Sequence, residues 1–286
     1  MSLKISIFKP FPTQNPYFST FISYFCRLMF FRNFYILLIS VFLLFACDRK
    51  TQKLLKGNDM EAKLQIADNY YNKKKYEKAI PIYEELLTVY KGQKNVEDIY
   101  FKYANAHFLN KSYELASFYF RSFYNTYPFS EKAELAAYNE AICYAKTSPR
   151  YSLEQIDTEK AIAAFQVFVD KYPKSERVKE ANTKMDELRA KLRKKAYESA
   201  YLYYKIGEYK AASVALRQFL QDYPEYENHE KIDFLISKSL FKYAEGSYKD
   251  KKDERLADAQ KEYAFFKTTY PASTHLSELE KLNKKN

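Results

Sequence analysis

Apolar positions along this chain recur at offsets of 0, 4, 7 and 11 residues, and the set appears five times. It starts at Ala79, Ala116, Ala161, Ala212 and Ala259. Four residues later stand Tyr83, Phe120, Phe165, Leu216 and Tyr263, and seven later Leu86, Phe123, Phe168, Phe219 and Phe266. Eleven later a tyrosine closes every copy: Tyr90, Tyr127, Tyr172, Tyr223 and Tyr270. Those offsets trace one stripe on a helix of 3.6 residues per turn. The alanine lets a neighbouring helix approach closely, and the rings fill the space between helices. Pro128, Pro173, Pro224 and Pro271 follow the tyrosine, with Lys91 in the first copy. Proline has no amide proton and disfavours helical geometry in the residue before it, so each helix is predicted to stop there.

Each of these helices follows a second predicted one, spanning about 60–73, 95–109, 131–146, 176–206 and 229–245. Asn72 to Lys75, Asn110 to Lys111, and Gly207 supply the turns within pairs. Ala67 with Tyr70, Ala104 with His107, and Ala200 with Tyr203 are the matching core positions of the first helices. Successive alanines are 37, 45, 51 and 47 residues apart, longer than the 34 of an ideal tetratricopeptide array. Three insertions take up the excess: a loop from Thr147 to Asp157 turning at Ser148-Pro149, a lengthened charged helix from Ser175 to Lys195, and a lysine-rich loop from Tyr248 to Asp253.

Composition agrees with an all-helical chain. Its 286 residues include 29 Tyr and 23 Phe but only 4 Gly and no Trp, too little glycine for a Greek-key sandwich or a dinucleotide-binding fold. The net charge is +11, of which Lys4, Lys9, Arg27 and Arg32 contribute four before residue 47. The remaining charges are interspersed by sign, which describes a solvated helix surface rather than a nucleic-acid face. Cys26, Cys47 and Cys143 are too few and scattered for a disulfide framework or a zinc site, and Cys143 reads as a small buried hydrophobe. His107, His229 and His275 have no metal-ligand spacing, and no glycine-rich phosphate loop exists. Carboxylate pairs such as Glu84/Glu85 stand beside lysines on helix surfaces. Neither an enzyme nor a cofactor is expected.

The amino terminus reads as an address. Arg27 and Arg32 precede an apolar run from Phe34 to Phe45, and Leu44-Phe45-Ala46-Cys47 leads into Asp48-Arg49-Lys50. A basic region, a short apolar core and a small residue before the cut describe a secretory signal. The run is well short of the ~20 residues that span a bilayer. Met29 is an alternative start that gives a more usual signal length. The cysteine at the cut resembles the lipobox of bacterial lipoproteins, which implies that Cys47 carries covalent lipid; several acyl chains make a stable anchor. The expected organisation is a signal over 1–46, a lipidated linker over 47–59, amino-terminal repeats over 60–174 and carboxy-terminal repeats over 175–286.

The paired helices, with a small residue opening the second helix, an aromatic four later and proline at twelve, resemble the tetratricopeptide repeat. An all-α superhelix of about five helix pairs is the expected fold. In such a superhelix the first helices line the concave face. Residues one or two positions from their core stripe would look into it: Asp68, Tyr71, Phe101, Asn105, Phe108, Tyr138 and Ile142. Together the lipobox, the five repeats, the lengthened fourth pair and the insertion Ser148-Pro149-Arg150-Tyr151-Ser152-Leu153-Glu154-Gln155 resemble the BamD/YfiO family of outer-membrane assembly lipoproteins. The resemblance covers Cys47 to about Leu282, and the wealth of Lys and Tyr resembles family members from Bacteroidetes. It implies a protein anchored at the periplasmic face of the outer membrane. Its partners would be unfolded β-barrel precursors on the amino-terminal repeats and a BamA-like insertase on the carboxy-terminal ones. The alternative is another periplasmic repeat lipoprotein, one coordinating Tol–Pal or murein complexes.

Overall fold

The computed structural model of the chain describes residues 54–55, 57–90, 92 and 96–285. The predicted signal and Cys47 lie outside them. The described helices are α1 (Met60–Asn72), α2 (Tyr76–Val89), α3 (Val96–Leu109), α4 (Tyr113–Thr126), α5 (Ala133–Thr147), α6 (Ile156–Lys171), α7 (Val178–Lys205), α8 (Tyr209–Asp222), α9 (His229–Glu245), α10 (Lys249–Thr269) and α11 (Leu276–Lys285). No strand occurs among the described residues. The chain divides into two compact units, Met1–Leu86 and Leu87–Asn286.

In the first unit Asp59 caps α1 by accepting the Ala62 amide proton at 3.0 Å, satisfying a donor that an α-helix start leaves free. Ala67, Ala79, Tyr83 and Leu86 are fully buried. The Tyr83 hydroxyl donates to Asp68 at 2.7 Å, and buried Lys63 pairs with Glu85.

In the second unit each helix packs on its neighbours in sequence, and α9 also meets α11. Such stacking is the nearest-neighbour packing of a repeat array. The aromatic stripe is its core. Ala116, Phe120 and Phe123, Ala161, Phe165 and Phe168, Ala212 and Leu216, Ala259 and Phe266 are all at 0% exposure. Each fully buried ring contributes about 1.5–3 kcal/mol through area removed from water. His107 occupies the core position expected of it, with Tyr103 edge-on at 4.7 Å. Buried Cys143 has its thiol pushed up to about 12 by burial.

Helix ends repeat as faithfully as the stripe. Tyr127, Tyr172, Tyr223 and Tyr270 leave the helix with φ between −123° and −132° and ψ between 59° and 64°. Each still donates its amide proton to the carbonyl of the ring residue four before it. The two rings stay in contact at 5.1–5.8 Å. The proline behind each tyrosine excludes the helical region for it. Ser130, Ser175 and Ser273 then turn the chain, each hydroxyl accepting from the amide two residues on at 3.1–3.3 Å. In the fourth copy Tyr226 takes the serine's place and its ring packs on Phe219 at 5.1 Å.

The turns within pairs share a second device. Lys74, Lys111 and Gly207 have φ of 57°, 63° and 85°. The next amide reaches back to the carbonyl five residues earlier: Lys75 to Tyr70, Ser112 to His107 and Glu208 to Tyr203. This is the Schellman helix ending. Two of its three copies place a side-chain residue where glycine is unstrained.

Two expectations need correction. Residues Lys249–Asp253 are not a loop but the first turns of α10; the lysines and acids of this run are good helix formers, and Tyr248 in extended geometry starts the helix. Tyr203 is 43% exposed rather than core, because Tyr197, Tyr201 and Tyr204 take the buried side of α7. The pair spacing of 51 arises in α7, whose 28 residues make it the longest described helix.

Helix α11 closes the array. It buries Leu279, and Lys285 reaches Glu245 of α9 at 2.5 Å while Lys242 reaches the same carboxylate at 2.9 Å. These hydrogen bonds, Lys285 first, hold Glu245 down at about 2 against an ordinary 4.5.

Two predictions follow from these ends. Lys111→Gly raises and Gly207→Ala lowers unfolding free energy, each by about 1 kcal/mol, measured by urea denaturation. No atom lies within 4 Å of a Cβ at Gly207, so a larger loss there would mean the effect is not conformational. Because Glu245 is depressed, its support of α11 is complete above pH 4.5 and disappears as pH falls towards 2. Protection factors of the α11 amides, corrected for the intrinsic pH dependence of exchange, should fall across that window in the parent chain and be low and unchanged across it in Glu245→Gln.

Candidate peptide-binding surfaces

The seven residues expected in a groove fall in both units. Asp68 and Tyr71, in the first, are half-buried: Asp68 holds the Tyr83 hydroxyl and Tyr71 lies edge-on to Tyr76 and Tyr83 at 5.6 and 6.3 Å. In the second unit Phe101 and Phe108 contact Phe120 at 5.9 and 6.3 Å, with Asn105 half-buried between them on α3. Tyr138 is 7% exposed. It lies on Phe165 and Phe168, with the Arg177 guanidinium over its ring at 6.0 Å, so α7 closes it off from an open groove. Burial and the nearby Glu180 carboxylate raise its hydroxyl pKa.

Ile142 lines an open cleft. Between α5 and α7 lies a cavity of about 430 Å³ lined by Ile142, Ala145, Lys146, Glu180, Lys184, Glu187, Leu188 and Lys191. Ile142, Ala145 and Leu188 supply its apolar lining, and three ammonium groups outnumber the Glu180 and Glu187 carboxylates around it. Lys191 donates to the Ser148 hydroxyl at 2.6 Å. Lys146 and Lys184 have no carboxylate partner among the described residues, so their charge remains available to a ligand.

The Ser148–Gln155 insertion stands at one end of this cleft. Gln155 is 2% exposed. Its side-chain amide donates to the Arg150 and Leu153 carbonyls, both at 2.9 Å, while its oxygen accepts from Thr158 at 2.7 Å. All three polar functions of the buried amide are satisfied, two by the loop and one by the first turn of α6, and this holds the loop in a single shape. Helix α7 clasps it from outside: Lys195 donates to the Leu153 carbonyl at 2.9 Å, and Lys194 sits over the Tyr151 ring at 4.5 Å.

Sequence reasoning missed Gln155 and the buried Glu140. Glu140 is 3% exposed and accepts from Arg121 at 2.6 Å and from Tyr124 at 2.7 Å, tying α4 to α5. Its signal was present, since it follows Ala133, Ala136 and Ala137 on the apolar stripe of α5. Gln155 carries no comparable sequence signal, because its role depends on two carbonyls of a non-repeating loop. Lys184, Leu188 and Lys191 were hidden in a charge-rich stretch. Among the described residues no group of His, Cys, Asp and Glu could hold a metal ion.

Helix pairs stacked by a periodic aromatic stripe, with recognition left to clefts and exposed faces, define an all-α repeat protein of tetratricopeptide type. The chain belongs to the YfiO family of outer membrane lipoproteins, whose sequence profile matches residues 57–200 and 193–282. It is 32% identical over 107 residues to the outer membrane protein assembly factor BamD of Caulobacter vibrioides, covering 37% of this chain. The matched part spans about a third of that relative, 35% of its length. Similar solved structures include the yeast Sti1 TPR2AB domain with pHSP90, at 13% identity and a TM-score of 0.37, covering 79% of this chain and 97% of that one. Another is BtubC from P. vanneervenii, at 13% identity and a TM-score of 0.32, covering 76% and 86%. At such scores the fold rests on the helix pairing itself.

Replacing Gln155 with alanine should free the loop without unfolding the array. Hydrogen exchange across 148–156 is expected to rise steeply, with a global loss of about 1–3 kcal/mol from the unsatisfied carbonyls. Unchanged exchange in the loop would show that the lysines of α7 suffice to hold it.

Proposed function

We propose that this chain is a lipid-anchored scaffold of the machinery that assembles β-barrel proteins in the outer membrane. Cys47 carries the lipid, the amino-terminal repeats receive unfolded barrel precursors, and the last two repeats hold a BamA-like insertase. Family membership and the likeness to BamD support the setting. The observation that carries the binding role is the cleft between α5 and α7. Its volume suits one aromatic side chain with its flanking backbone, and its apolar lining is aliphatic. Lys146 and Lys184 would meet a carboxylate, so the cleft fits an extended peptide ending in an aromatic residue. Binding and positioning form the whole activity, with no bond made or broken.

The test uses the full-length chain in detergent and a short peptide ending in phenylalanine, as the free acid and as the amide. The acid is expected to bind more tightly, with Ile142→Lys and Lys184→Glu each weakening it about tenfold, on the scale of one lost charge-assisted contact. Equal binding of acid and amide would sink the cleft assignment. Cys47→Ser should move the protein from the membrane to the soluble fraction; retention on the membrane would remove the anchor from the reading.

A further inference from the structure

One stripe of α7 runs through Lys184, Leu188, Lys191, Lys195, Ser199, Leu202 and Ile206, at spacings of four, three, four, four, three and four. Residues so spaced lie on a single side of a helix. The stripe meets three different surroundings along its length. Lys184, Leu188 and Lys191 line the cleft with α5. Lys191 and Lys195 hold the Ser148–Gln155 loop. Beyond Lys195 it is bare among the described residues: Leu202 is 52% exposed and Ile206, at the helix end, 61%. Tyr203 beside them is 43% exposed. Meanwhile the opposite side of the same turns is packed, through Ala200, Tyr197, Tyr201 and Tyr204.

The loop adds to this bare face. Leu153 is 48% exposed and Ile156 55%, and the Leu153 carbonyl is fixed to Lys195. Leu202 stands seven residues, about 10 Å, further along α7. Leu153, Ile156, Leu202, Tyr203 and Ile206 thus form a ledge, walled at one end by a loop that its buried glutamine keeps rigid. Charge is placed unevenly around it. Glu198 is paired with Lys205 at 3.4 Å on the open side. At the loop end stand Arg150, whose guanidinium has no partner among the described residues, and Lys194, over the Tyr151 ring. Lys195 there pairs with the loop's one acid, Glu154, at 3.7 Å, leaving a basic excess.

We propose that this ledge docks an amphipathic helix of a partner protein. The docked helix would be about three turns long, with an apolar stripe and an acidic residue at the end that meets Arg150 and Lys194. A helix fits better than a strand because α7 satisfies its own backbone groups and offers only a ridge of side chains, into which another helix can pack. An apolar centre with a polar rim is the anatomy of a protein interface. The loop stands between the cleft and the ledge, so a peptide and a partner can be held on one face of α7 together. The proposal rests on the scaffold reading above, and adds to it a second, separate site.

Photocrosslinking in native membranes tests it, with p-benzoylphenylalanine placed at Leu153 or Ile206 of the full-length chain and the captured peptide mapped by mass spectrometry. Both positions are expected to capture the same helical segment of one protein, its acid towards position 153. Leu202→Lys, and separately Arg150→Glu with Lys194→Glu, should each lower capture about fivefold or more, as for residues central to an interface. These side chains are exposed, so an unchanged thermal midpoint confirms that the variants fold. Ile142→Lys should leave capture intact while weakening peptide binding in the cleft about tenfold. Capture of lipid, of a second copy of this chain, of scattered unfolded segments or of nothing would overturn the ledge and leave the cleft untouched. Absence of cleft binding in the parent chain, with ledge capture retained, would overturn the earlier reading alone.

Discussion

The contact on which the second unit depends is made at the end of every repeat, between a ring at offset seven and the tyrosine at offset eleven. In four copies the proline behind the tyrosine forces it out of helical geometry, yet the tyrosine keeps its last helical hydrogen bond and its ring contact. Stopping the helix and closing the core are therefore a single event. Without the stop, the chain could not reverse to bring up the next helix. Without the ring contact, the stop would open the core where neighbouring pairs meet. A helix pair cannot bury its own stripe alone, so each repeat depends on that reversal for its neighbour.

Regularity of this kind is what made the fold legible. Offsets of 4, 7 and 11 recur because every copy solves the same packing problem, and the predicted helices lie within a few residues of those observed. Legibility failed where the solution is not repeated. The run from Tyr248 to Asp253 has the composition of a loop and of a helix surface alike, and only its place after α9 makes it α10. Tyr203 stands at the repeat's core offset, but α7 also serves the third repeat through its first half, and its buried side is set by Tyr197, Tyr201 and Tyr204. Of the groove residues, Ile142 reaches an open cleft. The other second-unit rings pack on core rings, and helix spacing does not reveal that Arg177 would close over Tyr138.

Buried polar groups show how the array accepts charge without losing order. Glu140 sits on an apolar stripe and Asp233, 7% exposed, lies within α9, and each accepts a tyrosine hydroxyl at 2.7 Å. Burial pushes the Asp233 carboxyl above the usual range and lifts its partner Tyr270 too. A hydroxyl–carboxylate contact satisfies a buried acid while adding no second charge to desolvate; Glu140 has in addition the half-exposed Arg121 guanidinium at 2.6 Å. It also fixes register, because a shift of one residue would leave the carboxylate without its donor.

The insertions, by contrast, give the chain what a regular array lacks. A perfect repeat presents the same surface at every step and has no reason to bind at one step rather than another. Here the loop after α5 and the doubled length of α7 break that equivalence at one place. The cleft exists because α7 extends alongside α5, and the ledge exists because α7 also extends past the loop. Both therefore depend on the same 28-residue helix and on the loop that crosses it. The loop costs little in the core, since Gln155 satisfies it from within. Both surfaces proposed for recognition thus lie where the repeat is broken, while the unbroken copies on either side supply the rigidity that holds the break open.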